Sequence, residues 1–191
     1  MRGGFLLFCF LLLTGCKLLD RAPGASRLAA AHRSVAILPP LVQLPDTTGF
    51  TYAPGEVSAI FQGGLYDWLD ARRAVYAADF TVQDPDATND RLEAAGYYDG
   101  QALSYPELLG LLQTDALLVS TLTFDGPKGK PLLGPARPVT RLRADIQLFD
   151  RQTQSFVWRY TPRKRLWFGT PPLPVLDRVA QQGTLFLPYF R

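Results

Sequence analysis

The spacing of apolar and polar positions changes several times along the chain, and each change marks an element. A continuous apolar run from Phe5 to Leu13 follows the single charge of Arg2. Lys17 to about Arg33 is small and polar, with Pro23, Gly24 and several alanines, and reads as a flexible tether. Ser34 to Leu41 (SVAILPPL) is a short apolar run with Pro39-Pro40 near its end, the pattern of a buried strand. Residues 42–53 read as a loop. From about Pro54 to Arg73, Val57, Ile60, Phe61, Gly64, Leu65, Trp68 and Leu69 recur at three- and four-residue steps and predict a helix with one apolar face. Pro54 suits the first turn of that helix.

Ala74 to Val82 then reads as a second strand. Gln83-Asp84-Pro85-Asp86 supplies a turn and a cap for a short helix through Ala95. Ser104 as N-cap, Pro106 in the first turn and Glu107 three residues on predict another helix, to about Gln113. Asp115 to Phe124 (DALLVSTLTF) is the clearest strand, and 125–135 is a loop rich in glycine and proline. Thr140 to Phe149 alternates, with Leu142, Ala144, Ile146 and Leu148 on one face and Arg141, Arg143, Asp145 and Gln147 on the other. A hairpin loop at 150–154 returns the chain through Ser155 to about Thr161, and a last helix covers roughly Val175 to Phe186. This order predicts an α/β (or α+β) domain. It has a single mixed sheet of about five strands, flanking helices, a C-terminal β-hairpin and a closing helix.

Composition narrows the class. Hydrophobic residues make up 47% of the chain and the charges are evenly spread, which argues against disorder. A formal charge of +3 with no concentrated basic patch gives no reason to expect nucleic acid as a partner.

The first residues fix the expected address. One basic residue before the Phe5–Leu13 run matches a secretory signal, and the run is shorter than the roughly 20 apolar residues of a bilayer span. Its end, Leu13-Thr14-Gly15-Cys16, resembles the lipobox of bacterial lipoproteins. The resemblance implies cleavage between Gly15 and Cys16, diacylglycerol on the Cys16 thiol and an N-acyl chain on the freed amine. The domains expected are a cleaved signal (1–15), a lipidated cysteine with tether (16–33) and one domain (34–191). Cys9 leaves with the signal and Cys16 is consumed, so the mature chain has no thiol for a disulfide, a metal or nucleophilic catalysis. Lys17, not Asp, follows the cysteine. By the enterobacterial sorting rule that implies the outer membrane, on its periplasmic face.

The pairing of Ser34-Val35-Ala36-Ile37-Leu38-Pro39-Pro40 with Thr114-Asp115-Ala116-Leu117-Leu118-Val119 is similar to motifs of envelope lipoproteins of the curli-pore and TolB amino-terminal-like superfamily. Leu148-Phe149-Asp150 with Val157-Trp158 resembles that family's hairpin turn. Leu187-Pro188-Tyr189 resembles the ending of a small-lipoprotein branch grouped with transport auxiliaries. The chain departs from the pattern at Pro40, where Phe is usual, and at Gln113-Thr114. The resemblance implies an anchored protein-binding module without catalysis, an accessory of transport or envelope assembly, and carries no pore. Expected partners are the membrane, through the anchor, and envelope proteins; a second copy of the chain is a further candidate. Beyond the covalent lipid, no cofactor is expected.

Candidate chemistry is sparse. His32 is the only histidine, lies in the tether stretch and reads as solvated rather than as a base fixed beside a nucleophile. Gly126-Pro127-Lys128-Gly129-Lys130 lacks the strand–loop–helix setting of a phosphate loop. Asp84, Asp86, Asn89 and Asp90 carry oxygen ligands that suit calcium, but turn and capping roles account for each, so no metal site is assigned. The segment Trp158, Arg159, Tyr160, Arg163, Lys164, Arg165 and Trp167 interleaves cations with aromatics. It is the candidate interaction surface, for a protein or alternatively for peptidoglycan or polysaccharide. The plainer reading puts Trp158 and Tyr160 in the core beside a solvated basic turn, with Arg141 and Arg143 extending the basic face if the hairpin pairs.

Overall fold

Two ten-residue strands form the centre of the protein, β5 (Ala116–Asp125) and β6 (Arg141–Asp150), paired antiparallel from Ala116↔Asp150 to Asp125↔Arg141. Successive side chains leave opposite sides of a strand. Leu118, Leu122 and Phe124 therefore share one buried face with Leu142, Ala144, Ile146 and Leu148, while Thr121, Thr123, Arg141 and Arg143 share the other. The computed structural model describes residues 18–44, 52–100, 102–125, 141–166 and 172–190.

Around this pair the sheet runs in the order β1-β7-β6-β5-β2-β4. β2 (Ser34–Ile37) lies parallel to β5, and β3 (Leu41–Gln43) resumes the same parallel pairing further along β5. Pro39 and Pro40 have no N–H to give to a ladder, so the strand breaks there and re-forms. β4 (Thr81–Val82) pairs with β2. β7 (Ser155–Tyr160) returns along β6, β1 (Leu19–Arg21) adds antiparallel to β7, and β8 (Arg163–Arg165) continues along β6 past the end of β7.

One face of the sheet is covered by α2 (Pro54–Val75) and α5 (Pro172–Leu185). Val57, Phe61, Leu65 and Leu69 of α2 pack with Leu176, Val179 and Ala180 of α5 over Val35, Ile37, Ile146 and Leu148. Each fully buried leucine contributes about 1.5–3 kcal/mol. The other face carries α3 (Pro85–Ala94) and α4 (Tyr105–Leu112), whose Leu92, Leu108, Leu109 and Leu112 cover Ala36, Leu38, Leu117 and Phe149. The caps are those the sequence predicts. Asp84 Oδ1 accepts from the amides of Asp86 (2.9 Å) and Ala87 (3.1 Å), and the Ser104 amide donates to Glu107 at 2.7 Å.

The predicted fold class holds, with corrections. The sheet has eight strands rather than about five. The three additional ones, β1, β3 and β8, are three residues long, too short to show periodicity, and exist because a neighbour offers unpaired backbone groups. The predicted strand at 74–82 shrinks to Thr81–Val82: α2 continues to Val75, and Val75 and Tyr76 are exposed. The stretch expected as a tether is part of the fold from Leu18 onward. Leu19–Arg21 pairs with Tyr160–Trp158, and Ala25 and Ala29 of α1 (Ala25–Ala31) are buried.

Candidate functional site

Ala25, Leu28, Ala29 and His32 fall at helical spacing, so the inward face of α1 ends on an imidazole. His32 is buried, 5% exposed, which corrects the expectation of a solvated histidine. Its Nε2 lies 2.6 Å from Asp150 Oδ1 and its Nδ1 lies 2.7 Å from the Tyr189 hydroxyl. An ionised carboxylate only accepts, which assigns the Nε2 proton to His32; neutral Nδ1 then accepts from the Tyr189 O–H. The second carboxylate oxygen of Asp150 accepts from Thr153 N (2.6 Å) and Oγ (2.7 Å).

Burial pushes the Asp150 carboxyl up, but the hydrogen bonds from His32 and from the Thr153 hydroxyl and amide outweigh it, so its pKa is lowered. Burial raises the Tyr189 hydroxyl well above its ordinary value, and the charges of Asp150 and Asp115 add to that. Phe80 stacks on the Tyr189 ring with centroids 4.5 Å apart. Beside the group, Asp115 Oδ2 accepts from the amides of Arg33 (2.8 Å) and Ser34 (3.2 Å), and a small hollow of about 170 Å³ opens between His32, Asp115, Asp150 and Gln152. Both ring nitrogens of His32 are engaged, by an acid held ionised and a phenol held neutral. The arrangement clamps α1, the β6–β7 hairpin and the C-terminal segment to one another.

The second feature is the exposed half of the sheet. The apolar cluster under α3 and α4 ends at Val119; beyond it Thr121 and Thr123 are partly exposed and Arg141 and Arg143 are exposed. The interleaved segment divides by strand parity. Trp158 (1% exposed) and Tyr160 (7%) point into the core, and Trp158 Nε1 donates to Phe186 O at 2.8 Å. This removes both from the candidate interaction surface and agrees with the plainer reading. Arg159 faces the other way and donates through Nε to Asp145 at 2.8 Å. Arg163 and Arg165 stand opposite Arg143 and Arg141, so the hairpin does extend the basic face, and Lys164 stands opposite Leu142. These residues, with Asp125, line a groove of about 430 Å³. Trp167, Gly15, Cys16 and the 126–131 loop lie outside the described residues.

Among the described residues no three His, Cys, Asp or Glu side chains converge as a metal site, and no helix is long and apolar enough to cross a membrane. Asp84 is used as a cap and Asn89 exchanges hydrogen bonds with Gln62, at 3.0 and 3.1 Å.

The fold and site define a class: an α/β domain with one open mixed sheet, a buried polar clamp and a basic groove. No protein-family model matches the chain, and no curated protein sequence matches it. Similar solved structures include the PelC dodecamer from Paraburkholderia phytofirmans, at 13% identity, covering 91% of this chain and 96% of that one, with a TM-score of 0.47. Lipoprotein GNA1162 from Neisseria meningitidis matches at 16% identity, covering 78% of this chain and 94% of that one, with a TM-score of 0.46. The LpoB C-terminal domain from Salmonella enterica matches at 12% identity, covering 74% and 96%, with a TM-score of 0.41.

Proposed function

We propose that the chain is a lipid-anchored, non-catalytic lipoprotein on the periplasmic face of the outer membrane. In this reading residues 1–15 are removed, Cys16 carries the lipid, and the domain serves an envelope transport or assembly complex through protein contacts. The observation that carries it is the sequence Leu13-Thr14-Gly15-Cys16 after a short apolar run, with a folded sheet beginning at Leu19. Two or three acyl chains anchor firmly where one holds weakly, at about 0.8 kcal/mol for each buried methylene. His32 is buried and both its nitrogens are engaged, by Asp150 and Tyr189, which supports a structural role for it over a catalytic one. Motifs similar to the curli-pore and TolB amino-terminal-like superfamily support an accessory function.

Confinement at a membrane raises the effective concentration of the domain toward partners there. The alternative reading, a binder of peptidoglycan or polysaccharide, relied on an aromatic platform, and Trp158 and Tyr160 are buried. Labelled palmitate supplied to cells expressing the chain should appear on the wild type and not on Cys16→Ala, which should also leave the membrane fraction. Unchanged membrane attachment of Cys16→Ala refutes the anchor. Crosslinking in intact membranes should recover a protein partner; recovery of glycan alone sinks the accessory role.

A further inference from the structure

We propose that the groove lined by β6, β8 and the end of β5 is the surface on which the domain seats against anionic lipid headgroups, with phosphate as the group recognised. Arg141 and Arg143 of β6 stand directly opposite Arg165 and Arg163 of β8, and Lys164 lines the same groove. Like charges placed directly opposite across a ladder are destabilising. The nearby carboxylate of Asp145 is already taken by Arg159. Asp125, across the ladder from Arg141, is the acidic residue lining the groove. A guanidinium fork matches phosphate oxygens two at a time.

The position of the chain entry selects a membrane over other polyanions; this step rests on the lipidation of Cys16. Leu18 O accepts from Thr161 N at 2.8 Å, so the strand that begins the fold enters beside the residues leading into β8. Arg163 follows two residues later. Cys16 precedes Leu18 by two residues, a covalent reach of about 7 Å. The acyl chains and the arginines thus leave the domain at one end. A domain held this closely does not stand off on a tether but rests on the headgroup layer.

The test separates the groove from the anchor by removing the lipid. The chain from residue 16 with Cys16→Ser, which retains every described element, is mixed with phosphatidylglycerol-containing or purely phosphatidylcholine vesicles and floated on a gradient. Binding is expected to the anionic vesicles, to weaken with salt and to fall roughly thirtyfold in Arg163→Gln/Arg165→Gln, at the scale of juxtamembrane cations. Arg27→Gln/Arg178→Gln loses the same charge from exposed positions on α1 and α5 and should bind within about twofold of the parent, since its cations lie outside the groove. Equal losses in the two variants, or equal binding to both vesicle types, overturn the proposal. Retention on immobilised dextran sulfate without vesicle binding also overturns it, in favour of a polyanionic glycan. Failure here leaves palmitate labelling of Cys16 untouched, so the two readings fail separately.

Discussion

His32 Nε2 and Asp150 Oδ1 lie 2.6 Å apart although 118 positions separate them in sequence. One ends the first helix and the other begins the β6–β7 hairpin, and neither is more than 5% exposed. A buried acid of this kind is tolerated because its acceptors are filled: His32 takes one oxygen and Thr153 the other. Tyr189 closes the group from the far end of the chain.

Removing His32 leaves Asp150 Oδ1 and the Tyr189 hydroxyl buried without their partner. His32→Ala should destabilise the domain by about 3–5 kcal/mol. Urea unfolding of His32→Ala, Asp150→Ala and the double variant should give a coupling of about 1–3 kcal/mol. Additive losses would mean that the two side chains act independently.

The same group shapes the pH dependence. Asp150 has a lowered pKa in the folded protein, so between that value and its ordinary value the unfolded chain binds more protons. Its stabilisation is complete above about pH 4–5 and is lost as pH falls below that. Tyr189 is raised, so its share is complete below about pH 10 and falls as pH climbs further. Unfolding free energy measured across pH should lose part of its acid limb in Asp150→Asn and part of its alkaline limb in Tyr189→Phe. Unaltered limbs would contradict the assignment.

Helix α5 approaches the sheet at Gly183, where an added Cβ would lie 2.6 Å from Ile146 Cδ1 and 3.8 Å from Leu65 Cδ2. Gly183→Ala should cost about 1–3 kcal/mol through overpacking, despite better helix propensity. Ile146→Val removes the obstructing methyl, so Gly183→Ala in that background should be close to neutral. Thermal unfolding of the four proteins tests this; an equal cost in both backgrounds would rule out the steric explanation.

The two halves of the interleaved segment should respond oppositely. Trp158→Ala should destabilise by about 3–5 kcal/mol, as for a fully buried indole. Arg163→Gln should raise stability by about 0.2–1 kcal/mol at low salt by relieving its opposition to Arg143, with the gain fading as salt rises. A loss on Arg163→Gln, measured by denaturant titration, would show the cross-strand pair to be favourable.

Local pattern carried most of the framework. The alternation of Leu142, Ala144, Ile146 and Leu148, the helical spacing from Val57 to Leu69 and the caps at Asp84 and Ser104 are consequences of neighbours a few residues apart, and all are visible in the linear chain. The basic face was legible to the same extent, since parity alone separates Arg141 and Arg143 from their apolar neighbours. In the linear chain His32 reads as solvated although Ala25, Leu28, Ala29 and His32 share helical spacing; small alanines give that face too weak a signal, and the acid that justifies burying an imidazole lies far along the chain.

By itself the sequence determined the class of fold, the core positions of the long strands and the expectation of a lipid on Cys16, because periodicity and a contiguous motif are local properties. Tertiary structure alone decided that Leu19–Arg21 completes the sheet instead of forming a tether, since a three-residue strand is stabilised by its partner β7 and not by its own residues. It also decided that Arg163 and Arg165 confront Arg143 and Arg141, because register is set by long-range pairing. Finally, it brought His32, Asp150 and Tyr189 together, since a buried charge is stable only where the folded chain supplies its partners.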